Sequence, residues 1–149
     1  MKERFEIFTI QIAKISRCIH KIKTEEMAGF NLKSPHVSCL YYLYKYQKPM
    51  TAKELCDICD EDKGAISRSL DYLEKNGYLT CESKTEKRYK SPLVLTDKGL
   101  EIGEYIVNKI DSILADASKG LTEEKRKIFY HSLILISDNL QKMCDKYGE

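Results

Sequence analysis

The stretch ELCDICDEDKGAISRSLDYLEKNGYL, Glu54–Leu79, decides the fold. Just before it, Thr51 and Glu54 make T-A-K-E, a capping box that opens a short helix over residues 52–59. The polar run Asp60–Gly64 turns the chain. Asp62 is placed to cap a second helix over about 63–76, and Gly77 to end it in the left-handed position that glycine tolerates. In this second helix Ala65, Ile66, Leu70 and Leu73 must face inward, which leaves Gly64, Ser67, Arg68 and Asp71 outward.

Beyond Gly77 the chain changes character. Tyr78, Leu79 and Cys81, then Leu93, Val94 and Leu95, form two short strand-like runs around a polar tip. The tip, Lys84–Lys90, carries four positive charges and one negative. Two short helices and then a β-hairpin make a winged helix-turn-helix, whose second helix enters a DNA major groove. Ser67 and Arg68 are then candidate donors to bases or phosphates, since arginine is the usual partner of guanine. Gly64 lets the backbone approach closely, next to Lys63. A narrow hairpin tipped by Lys84, Lys87, Arg88 and Lys90 suits the minor groove, where negative potential concentrates. The bland reading of an isolated basic hairpin is a solvated turn; its place directly after a helix-turn-helix favours DNA.

Working outward, Phe5, Phe8, Ile12, Ile15, Ile19 and Ile22 step by three and four, a helical seam of period close to 3.5. Ser34 with Pro35 reads as the cap and first position of a helix that runs to about Tyr46 and stops before Pro49. Thr96 caps a long helix to about Ser118, and Gly120 breaks it. Thr122 caps a last helix carrying Phe129, Leu133, Ile136, Leu140, Met143 and Tyr147, again at steps of four and three. Seams at both termini are expected to pack together, within one chain or between two. The expected class is mainly α with a small β-hairpin wing. Residues 1–30 and 97–149 are the dimerisation helices, and residues 31–96 the DNA-binding module.

The chain has 149 residues and a formal charge of +2. Residues 51–96 hold eight Lys/Arg against nine Asp/Glu, so any DNA affinity rests on where the charges face. Moderate affinity per protomer is expected, with two protomers needed. No run is apolar enough for a membrane span, and the N-terminus lacks the marks of a secretory signal, so a cytoplasmic location is expected. Six cysteines there are expected to be reduced thiols.

These motifs together resemble the MarR family of bacterial transcriptional regulators. The resemblance rests on Asp62-Lys63-Gly64-Ala65-Ile66-Ser67-Arg68, on Leu73-Glu74-Lys75-Asn76-Gly77-Tyr78-Leu79, on a basic wing tip, and on Leu95-Thr96-Asp97-Lys98-Gly99. The flanking helices agree in order and length, so it covers essentially the whole chain. It implies a homodimer with interlocked terminal helices, bound to a palindromic operator in double-stranded DNA. It also implies that Ser67 and Arg68 meet the major groove and Arg88 the minor groove. The wing departs from the usual D-x-R: Glu86 replaces the aspartate, and Lys87 or Lys90 could share the place of Arg88.

Cys56 and Cys59 form a C-x-x-C, but with Ala52 and Leu55 they fall at i, i+3, i+4, i+7, a core stripe. A structural zinc needs four ligands, and no second pair exists. Packing is therefore the expected role of both. Thiol-based sensors exist in the family, but Cys18 in SRCIH does not match their context. Zinc-sensing members place paired histidines on the first helix after the wing, which here has none. Tyr41, Tyr42, Tyr44 and Tyr46 read first as core and dimer packing. The resemblance adds an aromatic-lined crevice for a small aromatic effector, with Arg17 and His20 as polar partners. No catalytic constellation, metal cluster or phosphate loop is visible, so neither an enzyme nor a cofactor is expected. Alternatives to an effector-released repressor are a thiol-responsive regulator of the same fold and a protein-interaction module without DNA.

Overall fold

The computed structural model describes residues 2–59, 61–82 and 91–148, residue 2 by its backbone alone. The expected wing-tip residues Lys84, Lys87, Arg88 and Lys90 lie outside the described residues. The chain divides into two compact units, residues 1–109 and 110–149.

The first unit runs through α1 (Lys2–Met27), one 3-10 turn (Ala28–Phe30), α2 (Ser34–Tyr46), α3 (Ala52–Cys59) and α4 (Lys63–Lys75). It continues through β1 (Leu79–Cys81) and β2 (Leu93–Leu95) into the first part of α5 (Asp97–Ala117). The second unit holds the rest of α5 and α6 (Glu123–Asp145). The fold is mainly helical with one antiparallel hairpin, as expected from the sequence. In the hairpin Leu79 pairs with Leu95, Thr80 with Val94 and Cys81 with Leu93. Met50 adds a bridge on the other side of Leu93, donating to its carbonyl at 3.2 Å and accepting from its N–H at 2.8 Å.

The core of the first unit is aliphatic. Leu40, Leu55, Ile66, Leu70, Leu73, Leu79, Leu93 and Ile106 are each at most 1% exposed. Burying one such side chain contributes about 1.5–3 kcal/mol. Most caps stand where the sequence puts them. Thr51 N–H donates to the Glu54 carboxylate at 2.8 Å, and Glu54 N–H to the Thr51 hydroxyl at 3.2 Å. Asp62 accepts from Ala65 N–H at 2.7 Å. Gly77 takes φ +78 and Gly120 φ +91, both in the left-handed region.

Two expectations need correction. Ser34 is the first residue of α2 rather than its cap; Lys33 occupies the cap position. The reason is His36, whose Nδ1 accepts the Lys33 backbone N–H at 3.0 Å and so does the capping itself. The second correction concerns α3. Ala52 and Leu55 are buried, but Cys56 and Cys59 are only half-buried, so the core stripe is narrower than its spacing suggests.

The terminal helices present apolar side chains to solvent. Every residue of α1 from Glu3 to Lys21 is exposed, Phe5 by 70% and Ile7 by 63%. In the second unit α6 buries none of its residues, and Ile134 and Leu135 are 60% and 59% exposed.

Two substitutions probe the first unit. A Cβ on Gly99 would collide with the Tyr78 carbonyl and press on Leu95, and backbone cannot step aside cheaply. Gly99→Ala should therefore cost about 1–3 kcal/mol, read as a lower urea midpoint. Burial, and after it the Lys33 charge, hold the His36 imidazole below its ordinary pKa. The unfolded chain thus takes the proton first. The stabilisation is complete above about pH 6.5 and is lost as the pH falls through the lower folded value. Urea midpoints measured downward from neutral pH should drop more in the wild type than in His36→Gln.

Candidate nucleic-acid interface

The helix-turn-helix is α3, the turn after it, and α4. Ile66, Ser69, Leu70 and Leu73 are the buried residues of α4, so that face is fixed against α2 and α3. Ser67, Arg68 and Asp71 are exposed on the other side, and Lys63 is exposed in the first turn. Three of the four residues expected outward, Ser67, Arg68 and Asp71, are thus exposed, whereas Gly64 is half-buried, as is Ala65, expected to face inward. The Arg68 guanidinium folds back over Gly64. A Cβ there would stand 3.0 Å from Arg68 Nη1 and 3.1 Å from Asp62 Oδ1. Glycine at 64 therefore leaves room for the arginine to lie along the helix start.

Two sets of contacts tie α4 down. Toward its C-terminal half the Tyr72 hydroxyl donates to the Asn31 carbonyl at 2.8 Å, and the Tyr72 ring stacks on His36 with centroids 4.4 Å apart. Just past its end Lys98 donates to the Asn76 carbonyl at 2.8 Å, its ammonium 4.3 Å from the centre of the Tyr78 ring. A cation there also complements the helix dipole. Thr96 joins the same knot, donating to the Gly77 carbonyl at 2.6 Å and accepting from Gly99 N–H at 3.1 Å. The sequence alone assigns no such role to Tyr72, His36 or Lys98. The L-T-x-K-G motif is the available signal for Lys98; nothing local announces the Tyr72–His36 stack.

A cleft of about 430 Å³ lies between the start of α2 and α4, lined by Asn31, Lys33, His36, Arg68 and Tyr72 among others. The effector residues expected from the sequence are not gathered in one place. Tyr41 meets Tyr42 edge to face at 5.1 Å, and Tyr42 stacks on Tyr46 at 6.2 Å. Tyr44 instead packs against Gly103 and lines an apolar cleft of about 270 Å³ with Leu43, Pro49, Leu95 and Leu100. Arg17 and His20 are exposed on α1, and neither has a hydrogen bond or ring contact with these tyrosines among the described residues. No group of three or more metal-ligating side chains is found among the described residues. None of their helices is long and apolar enough to cross a membrane.

Comparison with known proteins supports the geometry. Residues 30–88 match the model of the MarR family. The chain is 29% identical over 121 residues to the uncharacterised HTH-type transcriptional regulator YwoH of Bacillus subtilis, covering 81% of this chain and 87% of that one. Among solved structures it is similar to a MarR-family transcriptional regulator from Listeria monocytogenes in complex with a 26mer DNA. The TM-score is 0.80 at 25% identity, over 89% of this chain and 87% of that one. The fold is also that of Staphylococcus aureus MarR in complex with salicylate and kanamycin, with TM-score 0.76 at 21% identity, over 93% and 96% of the two chains. The helix-turn-helix lies within the matched residues, and over them the chain is similar to the MarR family of transcriptional regulators.

Proposed function

We propose that this regulator acts as a homodimeric repressor on a palindromic operator, with α4 in the major groove and the basic wing in the adjacent minor groove. The observation that carries the reading is the two-faced α4: Ile66, Leu70 and Leu73 are buried while Ser67 and Arg68 stand exposed on the opposite side. A helix held this way can offer side chains to base edges without unpacking. The Listeria relative bound to DNA supports the same use of the fold. Arg88, with Lys84, Lys87 and Lys90, is the proposed wing contact on the strength of sequence alone.

The homodimer rests on the terminal helices. Residues Phe5, Ile12, Ile15 and Ile19 of α1 and Phe129, Ile136, Leu140 and Met143 of α6 are all exposed, and each set keeps a heptad-like spacing. Apolar seams of this length stay in water only at a cost, and a second copy would cover them. A small aromatic effector is the proposed releasing signal, and the cleft beside Tyr44 is the place in the first unit that could take its ring.

The DNA reading is tested on duplexes selected by the purified protein from a random pool. Arg68→Ala should weaken the selected duplex by about 1–3 kcal/mol and blunt discrimination against scrambled DNA. Arg88→Ala should weaken both duplexes more evenly and reduce the salt slope by roughly one unit for each phosphate it no longer neutralises. Unchanged isotherms for both variants would move the protein to the interaction-module class.

The dimer is tested by Ile15→Asp and Leu140→Asp. Each position is 48% exposed within one chain, so a charge there leaves the protomer folded but places a carboxylate in the proposed interface. Sedimentation should show folded monomers for both; intact dimers in both would sink the interlocked-helix arrangement.

A further inference from the structure

The cleft of about 430 Å³ between the start of α2 and α4 is chemically one-sided. Two cations line it, Lys33 at the cap of α2 and Arg68 on α4, and no carboxylate does among the described residues. The chain as a whole is nearly balanced, with 25 Lys/Arg against 23 Asp/Glu, so a wall of one sign is not a product of composition. Asp62 stands at the start of α4, but it is engaged by the Ala65 N–H at 2.7 Å and does not line the cleft. Neither the Lys33 ammonium nor the Arg68 guanidinium forms an ion pair or a side-chain hydrogen bond among the described residues. Two nearly buried donors share the same walls. Ser69 is 4% exposed, and its hydroxyl has no hydrogen-bond partner among the described residues. His36 is 8% exposed. Its Nδ1 accepts the Lys33 backbone N–H at 3.0 Å, so the neutral ring carries its proton on Nε2, which has no described partner. Neither atom is sealed from solvent.

We propose that this cleft is a seat for one phosphate oxyanion, filled by a backbone phosphodiester of the duplex, with Lys33 supplying the charge and the Ser69 hydroxyl and His36 Nε2–H supplying directed hydrogen bonds. A buried donor without an acceptor is costly, and an anionic oxygen relieves two of them at once. A phosphodiester spreads a single negative charge over two non-bridging oxygens, which suits one ammonium and two neutral donors. Lysine meets such a group as a point charge and needs no fixed fork geometry.

The walls are held from outside the cleft. The Tyr72 ring stacks on His36 at 4.4 Å between centroids, and its hydroxyl is tied to the Asn31 carbonyl at 2.8 Å. The donors therefore keep their places before any anion arrives. The choice of the duplex as the source rests on the function proposed above, in which the exposed flank of α4 with Ser67 and Arg68 meets DNA. Arg68 also lines the cleft, so a phosphate seated there fixes the backbone relative to the side chain offered to base edges. Inorganic phosphate has the same oxyanion chemistry, and the experiment separates the two sources.

The test compares full-length wild type with Lys33→Gln, Lys33→Arg and Ser69→Ala, each checked for folding by circular dichroism. On the selected duplex Lys33→Gln should bind about tenfold more weakly, lose a similar factor on scrambled DNA, and show a salt slope reduced by roughly one unit. Lys33→Arg should recover most of that loss. Ser69→Ala should cost about threefold with the slope unchanged, since a hydroxyl carries no charge. Methylphosphonates then replace single backbone phosphates of the duplex in turn. One position in each half-site should weaken wild type and leave Lys33→Gln unaffected. In a second arm the protein alone is titrated with sodium phosphate against chloride of equal ionic strength. The His36 ring resonances, identified by their loss in His36→Gln, should move saturably in wild type and stay still in Lys33→Gln. Movement in this arm with no methylphosphonate coupled to Lys33 overturns the duplex as occupant. Unchanged DNA binding in Lys33→Gln together with still resonances overturns the seat itself. Wild type that binds no duplex at all indicts the DNA reading instead, and the phosphate titration still decides the seat.

Discussion

The buried face of α4 is the constraint on which the rest of the first unit depends. Ile66, Leu70 and Leu73 are fully enclosed, and α4 packs against α2 and α3, on which Leu40 and Leu55 are also fully buried. Rotating α4 by one residue would bring Ser67 and Asp71 inward, at the cost of a buried carboxylate that no aliphatic contact repays. Packing therefore dictates which side chains the helix shows to a partner. The caps and the Tyr72, Thr96 and Lys98 contacts then fix where along its axis the helix starts and stops.

The features legible in the sequence and those hidden from it divide along a physical line. The caps at Thr51, Asp62, Thr96 and Thr122 and the left-handed glycines at 77 and 120 are legible because each is chemistry between residues a few positions apart. The inward and outward faces of α4 are legible for the same reason, through helical periodicity. The start of α2 stands one residue from its expected place because its cap is made by His36, whose ring is held by Tyr72 on another helix. Spacing within α2 says nothing about a partner 36 residues away. Grouping Arg17 and His20 with Tyr41, Tyr42 and Tyr44 requires tertiary neighbours that no spacing reveals, and the described contacts do not bring them together.

The cysteines show the same divide. The C-x-x-C is conspicuous in one dimension, yet on α3 it is Ala52 and Leu55 that are buried, while Cys56 and Cys59, one turn apart, stay half-buried. Helical spacing explains why Cys56 and Cys59 share a side of the helix. It could not reveal that the packing leaves both thiols partly open to solvent.

The Asp62 cap has a consequence for how this helix can meet a nucleic acid. A helix start is ordinarily a ready seat for an anion, since its N–H groups point outward with no acceptor of their own. Here an Asp62 carboxylate already occupies the Ala65 N–H at 2.7 Å and brings its negative charge to the same spot. A phosphate approaching the Ala65 N–H meets the Asp62 carboxylate rather than a vacant donor. If α4 enters the major groove as proposed, the duplex is engaged broadside, through the exposed flank of α4, and its backbone is held by side-chain cations rather than by the helix end.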